Sequence, residues 1–264
     1  MNSNKFPISL YLERISLGKM PPPDVEGLKQ IHAAQVFSIP FENLDIHLGR
    51  TISLQPEHLV SKLLNRSRGG YCFELNAMLR MALDAAGFAV RPLLARVLYN
   101  LSEPTTFTHE VLIVTLSGQD WLADAGFGMP GLRLPLPMIP DRVYEQYGDY
   151  YRLKGDPVLG WVLQRRSKEV FRDLYAFRDQ WIQDADIEMA NHFTATWPGS
   201  FFRTHKLCML PKPWGRITLF DMELTIHRRG QSTHKILSPG PAYMEALIEN
   251  FGITLDSDYT NFVL

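Results

Sequence analysis

At Gly87 the spacing of apolar residues switches from that of helices to that of strands, and a chain with helices before such a switch and strands after it is an α+β protein. Ahead of the switch, Asp24 caps a helix carrying Val25, Leu28 and Ile31 on one side, which must end before Pro40. Pro56 opens a second helix with Leu59, Leu63 and Leu64. A third carries Leu75, Met78, Leu79, Ala82, Leu83 and Ala86 at i, i+3, i+4, i+7 spacing, and Gly87 stops it. Short loops between these segments predict an N-terminal helical bundle over residues 1–87. Beyond it, alternating or continuous apolar runs at 90–99, 107–116 and 121–125, with shorter candidates at 150–153 and 161–165, predict a small β-barrel or curled sheet over 88–183. Residues 184–264 mix a helix near 184–193, short strands within 216–228 and a closing helix at 239–251.

The third helix begins at a thiol. In Arg68-Gly69-Gly70-Tyr71-Cys72-Phe73-Glu74-Leu75-Asn76 the two glycines let the backbone turn sharply, and no Ser, Thr, Asp or Asn caps the helix just before Cys72. The first N–H groups are therefore free, and the helix macrodipole favours an anion among them. This placement predicts a lowered thiol pKa and a nucleophilic Cys72. An inert core thiol would share the apolar phase of Leu75 and Leu79, so the assignment needs a base and an orienting acid.

Of the eight histidines, His109 lies in the strand at 107–116 on the face of Phe107, Val111 and Ile113, where a polar ring needs a partner. The next strand supplies Asp124, an acid within the apolar run Trp121-Leu122-Ala123-Asp124-Ala125. If Ser117-Gly118 is a two-residue turn, His109 and Asp124 point to the same face as diagonal neighbours, with Cα atoms roughly 7–8 Å apart. A three-residue loop would place them on opposite faces. Cys72, His109 and Asp124 then supply a nucleophile, a base and the acid that fixes the imidazole tautomer.

Other chemistries fit less well. A net charge of -1 argues against a nucleic-acid surface or a polybasic membrane anchor and points to a small-molecule partner. The two cysteines, Cys72 and Cys208, have no Cys-x-x-Cys spacing, so neither a disulfide framework nor a zinc site is signalled, and no metal is expected. His109-Glu110 lacks the second histidine of a zinc motif, since position 113 is Ile. Gly126-Phe127-Gly128-Met129-Pro130-Gly131 reads Gly-x-Gly-x-x-Gly, but the prolines that follow preclude the helix a dinucleotide site requires. With no signal-peptide order in the first ten residues and no run long enough for a membrane span, the expected location is cytoplasmic.

Four stretches together resemble the arylamine N-acetyltransferases. They are Ile39-Pro40-Phe41-Glu42-Asn43-Leu44, the Arg68 to Asn76 segment, Thr108-His109-Glu110 and Asp124-Ala125-Gly126-Phe127-Gly128, in the family's order. The resemblance implies a helical bundle, a β-barrel and a C-terminal α/β lid over 184–264, with a Cys-His-Asp core similar to that of transglutaminases and papain-like enzymes. It implies ping-pong transfer of acetyl from acetyl-CoA through Cys72 to an arylamine or hydrazine. It also implies Phe41 and Phe127 in the acceptor pocket, and Thr105, Thr106, Gly126, Gly128 and Ser200 near coenzyme A. Where the family often has a histidine in Ser-Thr-His-Pro-x-Ser, this chain has Trp197 within Ala195-Thr196-Trp197-Pro198-Gly199-Ser200, which alters the expected cofactor contacts. A thiol hydrolase, a transglutaminase-like enzyme and an amide synthase with a tethered acyl donor share the same triad pattern.

Overall fold

The computed structural model describes residues 6–263. Its N-terminal part holds helices α1 (Ile8–Arg14), α2 (Val25–Ser38), α3 (Leu44–His47), α4 (Pro56–Leu59) and α5 (Cys72–Ala85), with strand β1 (Phe41–Glu42) between α2 and α3. The Asp24 carboxylate accepts from the N–H of Gly27 at 2.7 Å, so α2 starts at its expected cap. The expected helix at Pro56 is only one α-turn, and the chain continues as a π-helical segment over Val60–Asn65. On α5 the apolar stripe Leu75, Met78, Leu79, Ala82 and Leu83 is fully buried in the bundle core with Leu28, Ile31 and Leu63.

After Gly87 the chain forms β2 (Ala89–Val97), β3 (Phe107–Leu116), β4 (Gln119–Ala123), β5 (Leu136–Pro137), β6 (Tyr144–Gln146), β7 (Asp149–Asp156), β8 (Gly160–Ser167) and β9 (Val170–Phe177). These make one antiparallel sheet in the order β5-β4-β3-β2-β9-β8-β7-β6. It curls nearly shut, because Pro140 bridges to Leu153 of β7 and the N–H of Asp141 donates to the Leu153 carbonyl at 2.7 Å. The barrel core contains Val111, Ile113, Leu122, Tyr151, Leu163 and Tyr175. Leu112 and Val114, on the other face of β3, pack with α5 in the bundle core. Both faces of β3 are therefore covered, which is why its sequence is continuously apolar.

The C-terminal part holds α6 (Asp184–Thr196), α7 (Phe201–Thr204), the meander β10 (Leu207–Lys212), β11 (Gly215–Phe220), β12 (Glu223–Arg228) and β13 (Gln231–Ile236), and α8 (Pro241–Phe251). Tyr243, Ala246, Leu247 and Phe251 of α8 cover the sheet side chains Leu210, Ile217, Leu219 and Leu224. The edge of this sheet is completed by β1, which pairs Phe41 with Met209 and Glu42 with Cys208. Phe41 also bridges to Gly70, so the motif around Phe41 ties the C-terminal sheet to the loop that precedes Cys72.

Candidate active site

The loop before Cys72 is held by a buried charge network. Arg68 donates from Nε to Glu42 Oε1 at 2.9 Å and from Nη2 to Asp45 Oδ1 at 3.1 Å. Lys62 Nζ lies 2.8 Å from both Asp45 Oδ2 and Glu74 Oε1. Glu74 then accepts from the N–H of Tyr71 at 3.1 Å, which closes the start of α5. Gly69 is required by this crossing, since a Cβ there would stand 2.2 Å from the Pro40 carbonyl oxygen. Five charged side chains thus join the Glu42 motif to the Cys72 motif, and burial makes each depend on the others.

The turn Ser117-Gly118 has two residues, both at positive φ (49° and 79°), as a type I′ hairpin needs. Pairing then runs from Leu116 opposite Gln119 to Leu112 opposite Ala123. In that register His109 Nε2 donates to Asp124 Oδ2 at 2.8 Å, with both side chains buried. A β-bulge leaves Thr108 without a partner between the pairs Ala95 with His109 and Arg96 with Phe107. Phe107 therefore leaves the face of His109, where alternation had put it, and packs with the bundle. Cys72 Sγ lies 3.7 Å from the carbonyl oxygen of Thr108. One turn further along α5, Asn76 Nδ2 donates to the Glu110 carbonyl at 2.6 Å and to Asp124 Oδ1 at 3.0 Å. Cys72 and Asn76 thus straddle the segment of β3 that carries His109. Asp124 Oδ1 also accepts from the N–H of Gly126 at 2.9 Å.

An N-acetyltransferase family model matches residues 24–260 of this chain. An arylamine N-acetyltransferase / N-hydroxyarylamine O-acetyltransferase of Salmonella typhimurium is 37% identical over 248 residues, covering 92% of this chain and 87% of that protein. The solved structure of an arylamine N-acetyltransferase from the same organism superposes with a TM-score of 0.91 at 35% identity, covering 97% of this chain and 93% of the other. The chain belongs to the arylamine N-acetyltransferase family. A Mycobacterium marinum member solved in complex with CoA has a TM-score of 0.89 at 31% identity over 97% of this chain and 96% of its own.

In this family member the thiol does not owe an easy ionisation to its helix. Burial pushes the Cys72 thiol well above its ordinary value, and the negative charges of Asp124 and Glu110 push the same way. The N–H of Phe73 opposes them, and it is the helix-start effect read from the sequence, but it is outweighed. A thiolate here needs a cation beside it. Asp124 is suited to support one: burial raises its pKa, but His109, Asn76 and the Gly126 N–H outweigh this and hold it below the carboxylate norm. Glu110, fully enclosed and with Oε2 lacking a partner, is pushed up to about 8 by burial.

Phe41 and Phe127 meet at one cleft with Asp124, Ala125, Gly128 and Leu132, and its volume of about 10 Å³ is close to what one water needs. The Phe127, His109 and Tyr175 rings form a cluster with centroids 4.9 to 5.1 Å apart. The remaining residues expected near coenzyme A are placed by local structure. Gly126 presses on α5, where a Cβ would stand 2.7 Å from the Cys72 carbonyl oxygen and 2.9 Å from its Cα. Thr105 Oγ1 accepts from the Val97 N–H at 2.9 Å, and Thr106 is exposed beside it. Ser200 caps α7, donating to the Thr194 carbonyl at 2.6 Å. Trp197 ends α6 half-exposed and stacks on Phe193 with centroids 5.3 Å apart. Sequence reasoning missed Asn76 as a ligand of Asp124, although it stands one helical turn from Cys72 in the same motif. Among the described residues no group of three or more His, Cys, Asp or Glu is arranged to hold a metal ion, and no helix is long and apolar enough to cross a membrane.

Proposed function

We propose that Cys72, His109 and Asp124 carry ping-pong acetyl transfer from acetyl-CoA to the nitrogen of an arylamine or hydrazine. The 2.8 Å His109–Asp124 bond beside the buried Cys72 carries this reading. With Nε2 of His109 donating to Asp124, Nδ1 is left to exchange a proton with the thiol. The proton moves from Cys72 to Nδ1, and the resulting imidazolium, backed by Asp124, is the cation that the buried thiolate requires. Sulfur attacks the acetyl carbonyl carbon, the bond to the CoA sulfur breaks, and the imidazolium returns its proton to the departing CoA thiolate. The amine nitrogen then attacks the acetyl-Cys72 carbonyl, His109 takes the proton that nitrogen loses, and the Cys72 thiolate leaves. The backbone N–H of Cys72 and a neighbouring donor meet the oxyanion of each tetrahedral intermediate. The acceptor ring enters between Phe41 and Phe127, and the half-buried Phe127 shifts to widen a cleft too small for it.

Mixing the enzyme with acetyl-CoA alone tests the proposal. One equivalent of CoA per chain should be released, followed by a stall until an arylamine or hydrazine is added. Continuous turnover without acceptor would indicate a hydrolase, and absence of any burst would indicate a different acyl donor.

A further inference from the structure

Asp124 is gripped by two histidines, and only one of them belongs to the triad. His109 donates to its carboxylate, while the N–H of Asp124 donates to Nε2 of His32 at 3.1 Å. His32 comes from the middle of α2, 92 residues away in the chain, and is fully buried. Its other ring nitrogen, Nδ1, stands 3.2 Å from the carbonyl oxygen of Arg133. That carbonyl can only accept, so Nδ1 carries the proton and Nε2 offers its lone pair to Asp124. The ring therefore spans the two ends of the segment 124–133, which includes Phe127 and Gly128 at the cleft. Burial lowers the His32 pKa, outweighing the Arg133 carbonyl and the Asp124 charge, which keeps the Nε2 lone pair available at neutral pH.

We infer that His32 is a positioning residue for acetyl transfer: by accepting the Asp124 N–H in its Nδ1–H tautomer, it sets the peptide from which the Asp124 carboxylate is aimed at His109. Asp124 otherwise takes its hold from Asn76 and Gly126 on Oδ1 and from Asn76 Oδ1 on the N–H of the following residue, Ala125, at 2.9 Å, so it is the preceding peptide, 123–124, that His32 holds. Without an acceptor at Nε2, a buried N–H is left unsatisfied, and the cheapest remedy is rotation of that peptide. A rotation that displaces the carboxylate by about 1 Å degrades the His109 bond and costs on the order of 10²-fold in rate. The inference rests on the triad reading above.

Two substitutions separate the two ring nitrogens. In His32→Asn the amide can occupy the place of Nδ1 and keep the Arg133 contact, but nothing reaches the Asp124 N–H. In His32→Gln the amide oxygen reaches the place of Nε2 and restores that acceptor. The rate of CoA release in the first half-reaction should fall roughly 10- to 100-fold in His32→Asn with KM for acetyl-CoA changed by less than about threefold, and His32→Gln should keep at least about a third of the wild-type rate. A wild-type burst in His32→Asn, or equal losses in both variants, would overturn the inference. Should His32→Asn fail to fold, imidazole ¹⁵N shifts of the wild-type protein decide, and an Nε2–H tautomer at His32 would refute it. Asp124→Asn serves as the control: if that variant keeps its burst the triad reading itself fails, whereas its loss beside an intact His32→Asn burst removes only the role of His32.

Discussion

Asp124→Asn should keep the fold and remove nearly all acetyl transfer, because the surroundings dictate which way the new amide points. Oδ1 of Asp124 accepts from two N–H groups, Asn76 Nδ2 at 3.0 Å and Gly126 N at 2.9 Å, while Oδ2 accepts from His109 Nε2 at 2.8 Å. The amide oxygen of the variant must stay with the two donors, so its NH₂ faces Nε2 of His109. That nitrogen can then no longer carry a proton toward residue 124, and the imidazole changes to the Nδ1–H tautomer. In the proposed mechanism Nδ1 takes the thiol proton, so the base would be blocked. Turning the amide around restores the tautomer but sets its NH₂ against two buried donors, at about 1–3 kcal/mol each. At about 1.4 kcal/mol per factor of ten, a total of about 2–6 kcal/mol corresponds to a loss of roughly 30- to 10⁴-fold. The upper end matches the ~10⁴ drop of the analogous change in the serine-protease triad. Stopped-flow release of CoA from acetyl-CoA, with circular dichroism to verify folding, measures the effect. A burst within about threefold of wild type would mean that Asp124 is a buried structural acid and that the tautomer argument is wrong.

Limiting iodoacetamide at pH 6 followed by peptide mapping should label Cys72 far ahead of Cys208, since both thiols are buried but only Cys72 has the His109–Asp124 pair beside it. Preferential labelling of Cys208 would remove Cys72 as nucleophile. Glu110 titrates near 4.5 when unfolded and about 8 when folded, so the folded chain retains a proton that the unfolded chain releases, and stability falls as pH rises from about 4.5 to about 8. Glu110→Gln should show a shallower decline in melting temperature between pH 5 and pH 8 than wild type, and identical slopes would contradict the assignment. Arg68→Ala leaves the buried carboxylate of Glu42 without its cation, while Asp45 keeps Lys62, and should cost about 3–5 kcal/mol, seen as a lower urea midpoint at unchanged m-value. A loss below about 1 kcal/mol would show that the network adjusts around the gap.

The sequence by itself determined whatever depends on neighbours along the chain. The apolar stripe of α5, its start at Cys72 and the two-residue Ser117-Gly118 turn are local properties, and the turn alone carries His109 and Asp124 to one face because strand side chains alternate with period two. Tertiary structure decided what depends on groups distant in sequence. The β-bulge at Thr108 arises from pairing with β2 and reverses the expected side for Phe107. The strand at Phe41–Glu42 has only two residues and exists because β10 and Gly70 flank it. His32 occupies a helical position with no local sign of its contact with Asp124, and becomes a ligand only when α2 packs beneath the end of β4. The thiol shows the division most clearly. Its place at a helix start was legible and favours the anion, but the enclosing bundle and the carboxylates of Asp124 and Glu110 raise its pKa, since desolvation and the charges of distant residues are set only by the folded chain.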